Sequence, residues 1–275
     1  MHDLTASART LLFTPADRPT RFAGTLSCGA DLSVLDLEDA VSAERKREAL
    51  GNAASWLSHH PGAVRVNGVD TEWFVDEVAA LRDIDCAVML PKSTEGTLRE
   101  LAAALAGSTA NHPIIALVET AEGVLETDRI AALPHVTRMA LGSFDLAAEL
   151  GVDPARSPLI DRARAQMAFS SAAAGLPAPI DSVTASISDA RVLAGDVAHA
   201  RQFGFTGKLC IHPAQVEPVH AALTPGPEEI HWAREILAAA AAPGAAGVLA
   251  VDGHMVDRPV LIRAERIVSL AGGSR

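Results

Sequence analysis

The sequence predicts an α/β protein whose core is a (β/α)₈ TIM barrel with a C-terminal helix/hairpin extension. Short apolar runs alternate eight times with longer segments of helical character. The runs are almost continuously apolar, as is typical of parallel strands buried on both faces. A length of 275 residues fits one barrel of roughly 250 residues with a short addition. Eight units in this length favour a closed barrel over an open doubly wound sheet.

Eight apolar runs are predicted as the barrel strands, each followed by a polar or turn-forming residue. The seventh run is short. The strands are predicted over residues 10–13, 32–37, 63–66, 87–90, 114–118, 138–141, 179–183 and 208–211.

Helices are predicted between these strands, over residues 42–57, 71–81, 94–105 and 188–203. Ser42 is a favourable N-cap, and Glu44 suits the positive end of a helix. Gly204 is a typical residue at a helix C-terminus and predicts the end of the last of these helices.

The pattern changes after the eighth strand, which predicts two domains: a barrel over 1–222 and an extension over 223–275. The sequence Pro-Gly-Pro at 225–227 breaks the chain before an alanine-rich helix over 228–242. A small hairpin is predicted over 248–256, around Asp252 and Gly253, and a final helix over 259–270. A barrel is complete without this extension, so the extension is expected to have another role.

Composition excludes several classes of function. Aspartate and glutamate number 34 against 23 lysines and arginines, a formal charge of −11. That balance predicts no nucleic-acid partner and no anionic membrane surface. There is no apolar run of roughly 20 residues for a membrane span and no signal-peptide pattern at the start. The three cysteines are widely spaced without metal-binding motifs, which predicts a reduced, cytoplasmic protein.

Charged residues follow most of the predicted strands. The carboxyl ends of all strands of a barrel open onto one mouth, so these residues are expected to converge there. They are Glu38 and Asp39 after strand two, Arg65 at the end of strand three, Lys92 after strand four, Glu119 after strand five, Asp145 beyond strand six and His212 after strand eight.

The residue types at the predicted mouth indicate metal-assisted enolate chemistry. Glu119 and Asp145 supply the hard oxygen ligands that Mg²⁺ prefers, with positions left for water or substrate. Glu38 and Asp39 are expected to accept hydrogen bonds from metal-bound water. Arg65 is expected to hold a carboxylate or polarise a carbonyl group. Such a site stabilises the enolate of aldol and retro-aldol reactions.

Each of these residues also has a structural interpretation. Carboxylates after strands are common helix caps. A charge in an apolar strand needs a buried partner, so a structural salt bridge is the alternative role for Arg65. His212 before a proline is typical of a turn. Lys92 allows a Schiff-base aldolase as an alternative mechanism. A non-catalytic scaffold subunit is a further alternative.

Eight motifs in order resemble the citrate lyase β-subunit family of the HpcH/HpaI aldolase superfamily. They cover nearly the whole chain, so the resemblance is specific. The motifs are LFTPADRP (12–19), LDLEDAV (35–41), VRVN (64–67), LPK (90–92), LVETAEGV (117–124), LGSFDLA (141–147), GKLCIHPAQ (207–215) and DGHMVDRP (252–259).

The resemblance implies a Mg²⁺-dependent enzyme that cleaves or forms a carbon–carbon bond in a 3-hydroxyacyl thioester, of the citryl-, malyl- or citramalyl-CoA type, with a 2-oxo acid released or used. By matched position, Glu119 and Asp145 bind the metal and Arg65 binds the oxo acid.

Further residues carry implied roles. Lys92, Glu119 and His212 are expected to bind substrate, with Glu38 and Asp39 in catalytic roles. Asp257 is implied as the acid/base residue, delivered by the extension into a neighbouring subunit of a homotrimer or hexamer. A citryl-acyl-carrier-protein lyase subunit of a larger complex is the alternative within the family.

Overall fold

The computed structural model describes residues 1–241, 249–251 and 254–272. Its first eight strands close into a parallel barrel in chain order, with the eighth strand paired to the first. The predicted (β/α)₈ barrel is therefore confirmed. The barrel strands are β1 (Thr10–Pro15), β2 (Leu32–Asp36), β3 (Ala63–Arg65), β4 (Ala87–Leu90), β5 (Ile114–Val118), β6 (Val136–Leu141), β7 (Ile180–Asp181) and β8 (Gly207–Cys210).

Helices connect the strands and surround the barrel. They are α1 (His2–Ser7), α2 (Phe22–Ser27), α3 (Lys46–Leu57), α4 (Phe74–Leu81), α5 (Glu95–Ala104), α6 (Ala121–Leu125), α7 (Thr127–Ala131), α8 (Ser143–Leu150), α9 (Pro158–Ala174), α10 (Ala190–Gln202) and α11 (Val216–Leu223). Short 3₁₀ turns occupy Pro19–Arg21, Ala43–Arg45 and Pro213–Gln215. No helix of the described ranges has the length and apolar character needed to cross a lipid bilayer.

Two apolar layers hold the barrel together. Side chains such as Val34, Met89 and Ile115 fill its interior, while neighbours such as Leu35 and Val88 pack outward against the helices. This alternation follows from the period of two in a strand. It explains the continuous apolar runs, because both faces of each strand are buried.

The chain divides into two compact units, Met1–Val219 and His220–Arg275. The second unit contains α12 (Pro227–Ala241), β9 (Leu249–Val251), β10 (His254–Val256) and α13 (Arg258–Gly272). β9 and β10 pair antiparallel, and residues of α12 and α13 such as Ala233, Ile236 and Ala264 form its small apolar core. The turn at Asp252 and Gly253 lies outside the described residues. The predicted boundary follows residue 222, and a role of the extension in a neighbouring subunit stays a prediction.

The start of α3 differs from the prediction. Ser42 precedes a 3₁₀ turn, Ala43–Arg45, and makes no side-chain capping bond, so the α-helix begins at Lys46. The ammonium of Lys46 donates hydrogen bonds to the carbonyl oxygens of Leu37 and Glu38 in the β2 loop. The helix therefore begins at a residue, Lys46, that is held by hydrogen bonds to a distant loop, and not at a residue with a local side-chain cap.

Candidate active site

A cavity of about 380 Å³ lies at the carboxyl ends of the barrel strands. Its walls combine charged residues with apolar ones, so a polar substrate group and an apolar portion both find partners there. The lining residues are Phe13, Pro15, Asp36, Asp39, Ala40, Arg65, Leu117, Glu119, Gly142, Phe144, Asp145, Ser182, Val183, Leu209 and Ile211. Arg65, Asp39, Glu119 and Asp145, predicted from separate segments, are brought together here.

Arg65 is held by a forked ion pair with Asp36. The two residues are direct register partners of β2 and β3. Nε and Nη2 of Arg65 each donate a 2.7 Å hydrogen bond to an oxygen of Asp36. Burial by itself would lower the pKa of Arg65. The hydrogen bonds to Asp36 and the negative charges of Asp36 and Glu38 outweigh burial and keep this pKa above its ordinary value. Arg65 is thus both a salt-bridge residue and part of the cavity wall.

Asp36 also orders the loop that follows β2. Its carboxylate accepts hydrogen bonds from the backbone N–H groups of Glu38, at 3.0 Å, and Ala40, at 3.2 Å. Asp36 lies in the LDLEDAV motif, but the sequence predicts no role for it. An acidic residue inside an apolar strand was the available signal, since a buried charge requires a partner.

Glu38 is buried beside this ion pair. Its Oε2 lies 2.8 Å from Nη1 of Arg65 but accepts no aligned hydrogen bond from the described residues. Burial raises the pKa of Glu38 to about 7, against the lowering effect of Arg65. Glu38 can therefore gain or lose a proton near neutral pH. Asp39 is more exposed, and its Oδ2 lies 3.9 Å from the same Nη1.

Glu119 follows β5 and points into the cavity. Its Oε1 accepts a 2.9 Å hydrogen bond from the backbone N–H of Lys92. Burial, with the charges of Glu38 and Asp145, raises the pKa of Glu119 to about 8. The capping residue of α6 is Thr120, not Glu119. The carboxylate is thus left for a ligand, and a nearby cation would offset the repulsion that raises its pKa.

Gly142 makes room for this carboxylate. A Cβ atom at position 142 would lie 2.5 Å from both Cβ and Oε2 of Glu119. Glycine is therefore required by the close approach of the Glu119 side chain, although its φ of −102° is open to other residues.

Asp145 lies in the first turn of α8, where its charge suits the helix dipole. The start of α8 is anchored by a 2.9 Å hydrogen bond from the Ser143 N–H to Oγ of Ser182. Ser182 follows Asp181, which forms a buried 2.8 Å ion pair with Lys208 of β8. Burial by itself would raise the pKa of Asp181, but the charges of Lys208 and Arg164 outweigh it and hold this pKa below its ordinary range. The ends of β7 and β8 thereby fix the helix that presents Asp145.

Lys92 borders the site without lining the cavity. Its backbone has a φ of 47°, the only positive φ of a non-glycine residue in the part of the chain described. Its side chain is 59% exposed, with Nζ 3.9 Å from Oε1 of Glu38. A Schiff-base lysine is normally desolvated. This exposure disfavours the Schiff-base alternative, and substrate binding by Lys92 stays a prediction.

Two other predicted residues form local hydrogen bonds, His212 outside the cavity lining and Asp257 within the second unit. His212 is exposed, and its Nδ1 accepts the Ala214 N–H at 3.2 Å as the cap of a 3₁₀ turn. Asp257 belongs to the second unit, where Oδ1 accepts the Val260 N–H at the start of α13. The functional roles of both residues stay predictions.

The donor set fits a hard divalent cation that needs few protein ligands. Among described residues, no group of three or more His, Cys, Asp or Glu side chains is arranged to hold a metal. Glu119 and Asp145 remain as a pair of carboxylates facing one cavity. Mg²⁺ is commonly bound by one or two carboxylates, with water and substrate completing its shell. Glu38 does not line this cavity, and its Oε2 is buried beside Nη1 of Arg65 without an aligned donor among the described residues. Its predicted hydrogen bond with metal-bound water therefore stays a prediction.

A closed barrel with an arginine and carboxylates at its mouth has the architecture of a lyase of the TIM-barrel class. Two family profiles agree with this class. The profile of HpcH/HpaI aldolase/citrate lyase matches residues 9–213, and that of the C-C bond lyase of the TIM-barrel fold matches residues 161–272. The chain belongs to the HpcH/HpaI aldolase/citrate lyase family, which confirms the resemblance in its motifs.

Individual relatives are similar over almost their whole length. A citrate lyase subunit beta-like protein of Mycobacterium tuberculosis is 36% identical, over 98% of each chain. A (3S)-malyl-CoA thioesterase of Cereibacter sphaeroides is 32% identical, over 96% of this chain and 94% of that protein. The crystal structure of CitE from M. tuberculosis with magnesium, acetoacetate and coenzyme A has a TM-score of 0.83. It is 33% identical and covers 97% of this chain and 99% of that one.

Proposed function

We propose that this protein is a Mg²⁺-dependent carbon–carbon lyase acting on a 3-hydroxyacyl thioester of coenzyme A. It cleaves or forms the bond through an enolate and releases or uses a 2-oxo acid. The observation that carries the proposal is the placement of Arg65, Glu119 and Asp145 on one cavity. The similar CitE structure with magnesium, acetoacetate and coenzyme A supports the metal and the thioester carrier. A CitE structure with magnesium and pyruvate, a 2-oxo acid, supports the class of oxo acid.

Glu119 and Asp145 hold the Mg²⁺ ion in this proposal. The bound ion supplies a Lewis acid for the oxygen atoms of the oxo acid. The raised pKa of Glu119 reflects a buried carboxylate with carboxylate neighbours, which is the environment that a cation stabilises.

Arg65 holds the oxo-acid portion. The pair with Asp36 uses Nε and Nη2 and fixes the plane of the guanidinium, and Nη1 faces Glu38. A guanidinium has five N–H donors, so hydrogens on Nη1 and Nη2 remain for a substrate carboxylate. Because Asp36 fixes the guanidinium, orienting a substrate costs little further entropy.

Proton transfer is assigned to two places. Glu38, with a pKa near 7, suits a group that accepts the hydroxyl proton directly or through water in the cleavage direction. Asp39 is proposed to assist at the rim. Asp257 is proposed to move the proton at the acetyl-thioester carbon, from the extension of a neighbouring subunit in a homotrimer or hexamer, as the family resemblance implies.

Hydrolysis of a thioester is a second candidate activity, supported by similarity to a protein named (3S)-malyl-CoA thioesterase. A further alternative is that an acyl-carrier protein, instead of coenzyme A, carries the thioester substrate.

A cytoplasmic location is proposed as well. It is supported by the free thiols of Cys28, Cys86 and Cys210.

The test is an assay of the purified protein with malyl-, citramalyl-, methylmalyl- and citryl-CoA, with Mg²⁺ and with chelator. Release of a 2-oxo acid that stops on chelation is expected. Glu119→Gln is expected to lower turnover by at least about a hundredfold. Glu122→Gln, a nearby exposed carboxylate on α6, is the matched control and retains activity.

Two results separate the candidates. Free CoA without 2-oxo acid indicates thioester hydrolysis alone. No release from any CoA ester contradicts the proposal, and citryl-carrier protein is the substrate that then tests the carrier-protein alternative.

A further inference from the structure

A buried polar cluster lies behind the active-site cavity and contributes no residue to its lining. It consists of Lys46 at the start of α3, Asn67 after β3 and Glu77 in α4, with exposures of 7%, 2% and 1%. Burying three polar side chains is unfavourable unless each is hydrogen bonded. All three are bonded: Glu77 accepts from Asn67, and Lys46 and Asn67 donate to the loop after β2.

Lys46 uses its ammonium group completely. Nζ donates to the carbonyl oxygens of Leu37, at 2.8 Å, and Glu38, at 2.9 Å, and to Oδ1 of Asn67, at 2.8 Å. An ammonium has three N–H donors and a neutral amine only two, so three acceptors match the charged form. The ring of Trp73 lies 4.8 Å from Nζ.

Asn67 joins this cation to a buried carboxylate. Its Nδ2 donates to the Leu37 carbonyl oxygen, at 2.9 Å, and to Oε1 of Glu77. Its backbone N–H donates to Oε2 of Glu77, at 2.8 Å. Lys46 and Glu77 are therefore linked through one amide, and the loss of either leaves buried hydrogen-bonding groups without partners.

The segment fixed by the cluster is the one that carries Glu38. The Glu38 N–H is bonded to Asp36, and the Glu38 carbonyl to Lys46. Both sides of the Glu38 backbone are thus fixed, and its carboxylate is directed to Nη1 of Arg65 at 2.8 Å. Asn67, two residues after Arg65, ties the β3 end into the same network.

We propose that Lys46, supported by Asn67 and Glu77, is a positioning residue that holds Glu38 against Arg65 for the lyase reaction. Lys46 touches neither substrate nor metal in this assignment. The inference rests on the proposed function, because Glu38 is taken there as the proton-accepting group.

The first test is a double-mutant cycle on kcat/KM with Lys46→Met and Glu38→Gln. Methionine has a similar length but no donor. Groups that orient others commonly change activity by about 10–100-fold, so Lys46→Met is expected to lower kcat/KM by at least about tenfold. In the Glu38→Gln background the same substitution is expected to have little effect, since the group it orients is already disabled.

Arg47→Met is the matched control: it removes a charge from the next, exposed residue of α3, and activity is expected to stay unchanged. An equal loss from Lys46→Met in both backgrounds overturns the inference, because a merely structural residue acts independently of Glu38. If Lys46→Met does not accumulate as folded protein, Lys46→Gln, which still donates two hydrogen bonds, is used in the same cycle.

A second measurement does not depend on turnover. A crystal structure of Lys46→Met is expected to show the Glu38 carboxylate moved away from Nη1 of Arg65, and an unmoved carboxylate overturns the inference. An inactive wild-type chain contradicts the proposed function, and this structure then decides the positioning role separately.

Discussion

The backbone N–H of Lys92 donates a hydrogen bond to the Glu119 carboxylate from a left-handed conformation, with a φ of 47°. An L-residue there typically costs about 1–2 kcal/mol. Backbone strain thus accompanies one contact of a proposed metal ligand, as is common at functional sites.

Replacement of Lys92 by glycine is expected to preserve this contact. Glycine adopts a positive φ freely, at an entropic cost of similar size, so Lys92→Gly should change the free energy of unfolding by less than about 1 kcal/mol. A β-branched residue tolerates this conformation poorly, so Lys92→Val should destabilise by more than about 1 kcal/mol. Urea denaturation measures both. Equal stability of the two variants would show that position 92 is not left-handed.

Substitution of Gly142 by alanine is expected to displace Glu119. The added Cβ meets Glu119 atoms at 2.5 Å, and such overpacking typically costs about 1–3 kcal/mol. Mg²⁺ affinity, measured by calorimetry, should fall more than about tenfold. Gly51→Ala in α3, where nothing lies within 4 Å of the new atom, is the control. The Gly51→Ala protein should retain Mg²⁺ affinity. A Gly142→Ala protein that also retains it would contradict the role of Gly142 in making room for Glu119.

Asp36→Asn is expected to be severe. The amide cannot accept both Arg65 hydrogen bonds and both backbone N–H bonds, and the buried arginine loses its counter-charge. Breaking a buried pair typically costs about 3–5 kcal/mol. The exposed carboxylate of Glu48, paired with Arg45 at 3.2 Å, gives the comparison: Glu48→Gln should cost at most about 1 kcal/mol. Similar losses in thermal unfolding would mean that Asp36 does not stabilise Arg65.

Glu77 predicts a pH dependence of stability. Burial raises its pKa to about 7 from an ordinary 4.5, against its hydrogen bonds with Asn67. The folded protein therefore retains a proton that the unfolded chain releases. The contribution of this bound proton to the free energy of unfolding is full below pH 4.5. It is lost as pH rises toward 7, by at most about 1.4 kcal/mol per pH unit.

The measurement is the free energy of unfolding between pH 5 and 8 in metal-free buffer. Wild type should lose stability with rising pH more steeply than Glu77→Gln does. Parallel curves for the two proteins would contradict the raised pKa.

Local sequence was sufficient for the main architecture. Strands such as β4 and β5 were predicted with their observed ends, because an apolar run between turn signals identifies a strand buried on both faces. The longest described helix, α9, received no boundaries from the pattern. It buries one face, but that face includes the polar residues Arg164, Ser170 and Ser171. The apolar Leu159 and Phe169 are exposed instead, so the apolar pattern of the sequence does not follow the buried face.

The sequence by itself determined which chemical groups are present and that the strand ends carry them, because the order of strands and turns is written locally in apolar runs and polar breaks. Only the tertiary structure decided which groups face each other. The pairing of Arg65 with Asp36 comes from the register of neighbouring strands. The left-handed backbone of Lys92 and the need for glycine at position 142 accompany the close approach of both residues to Glu119. Contacts between residues distant in the chain depend on packing, and no local pattern specifies packing.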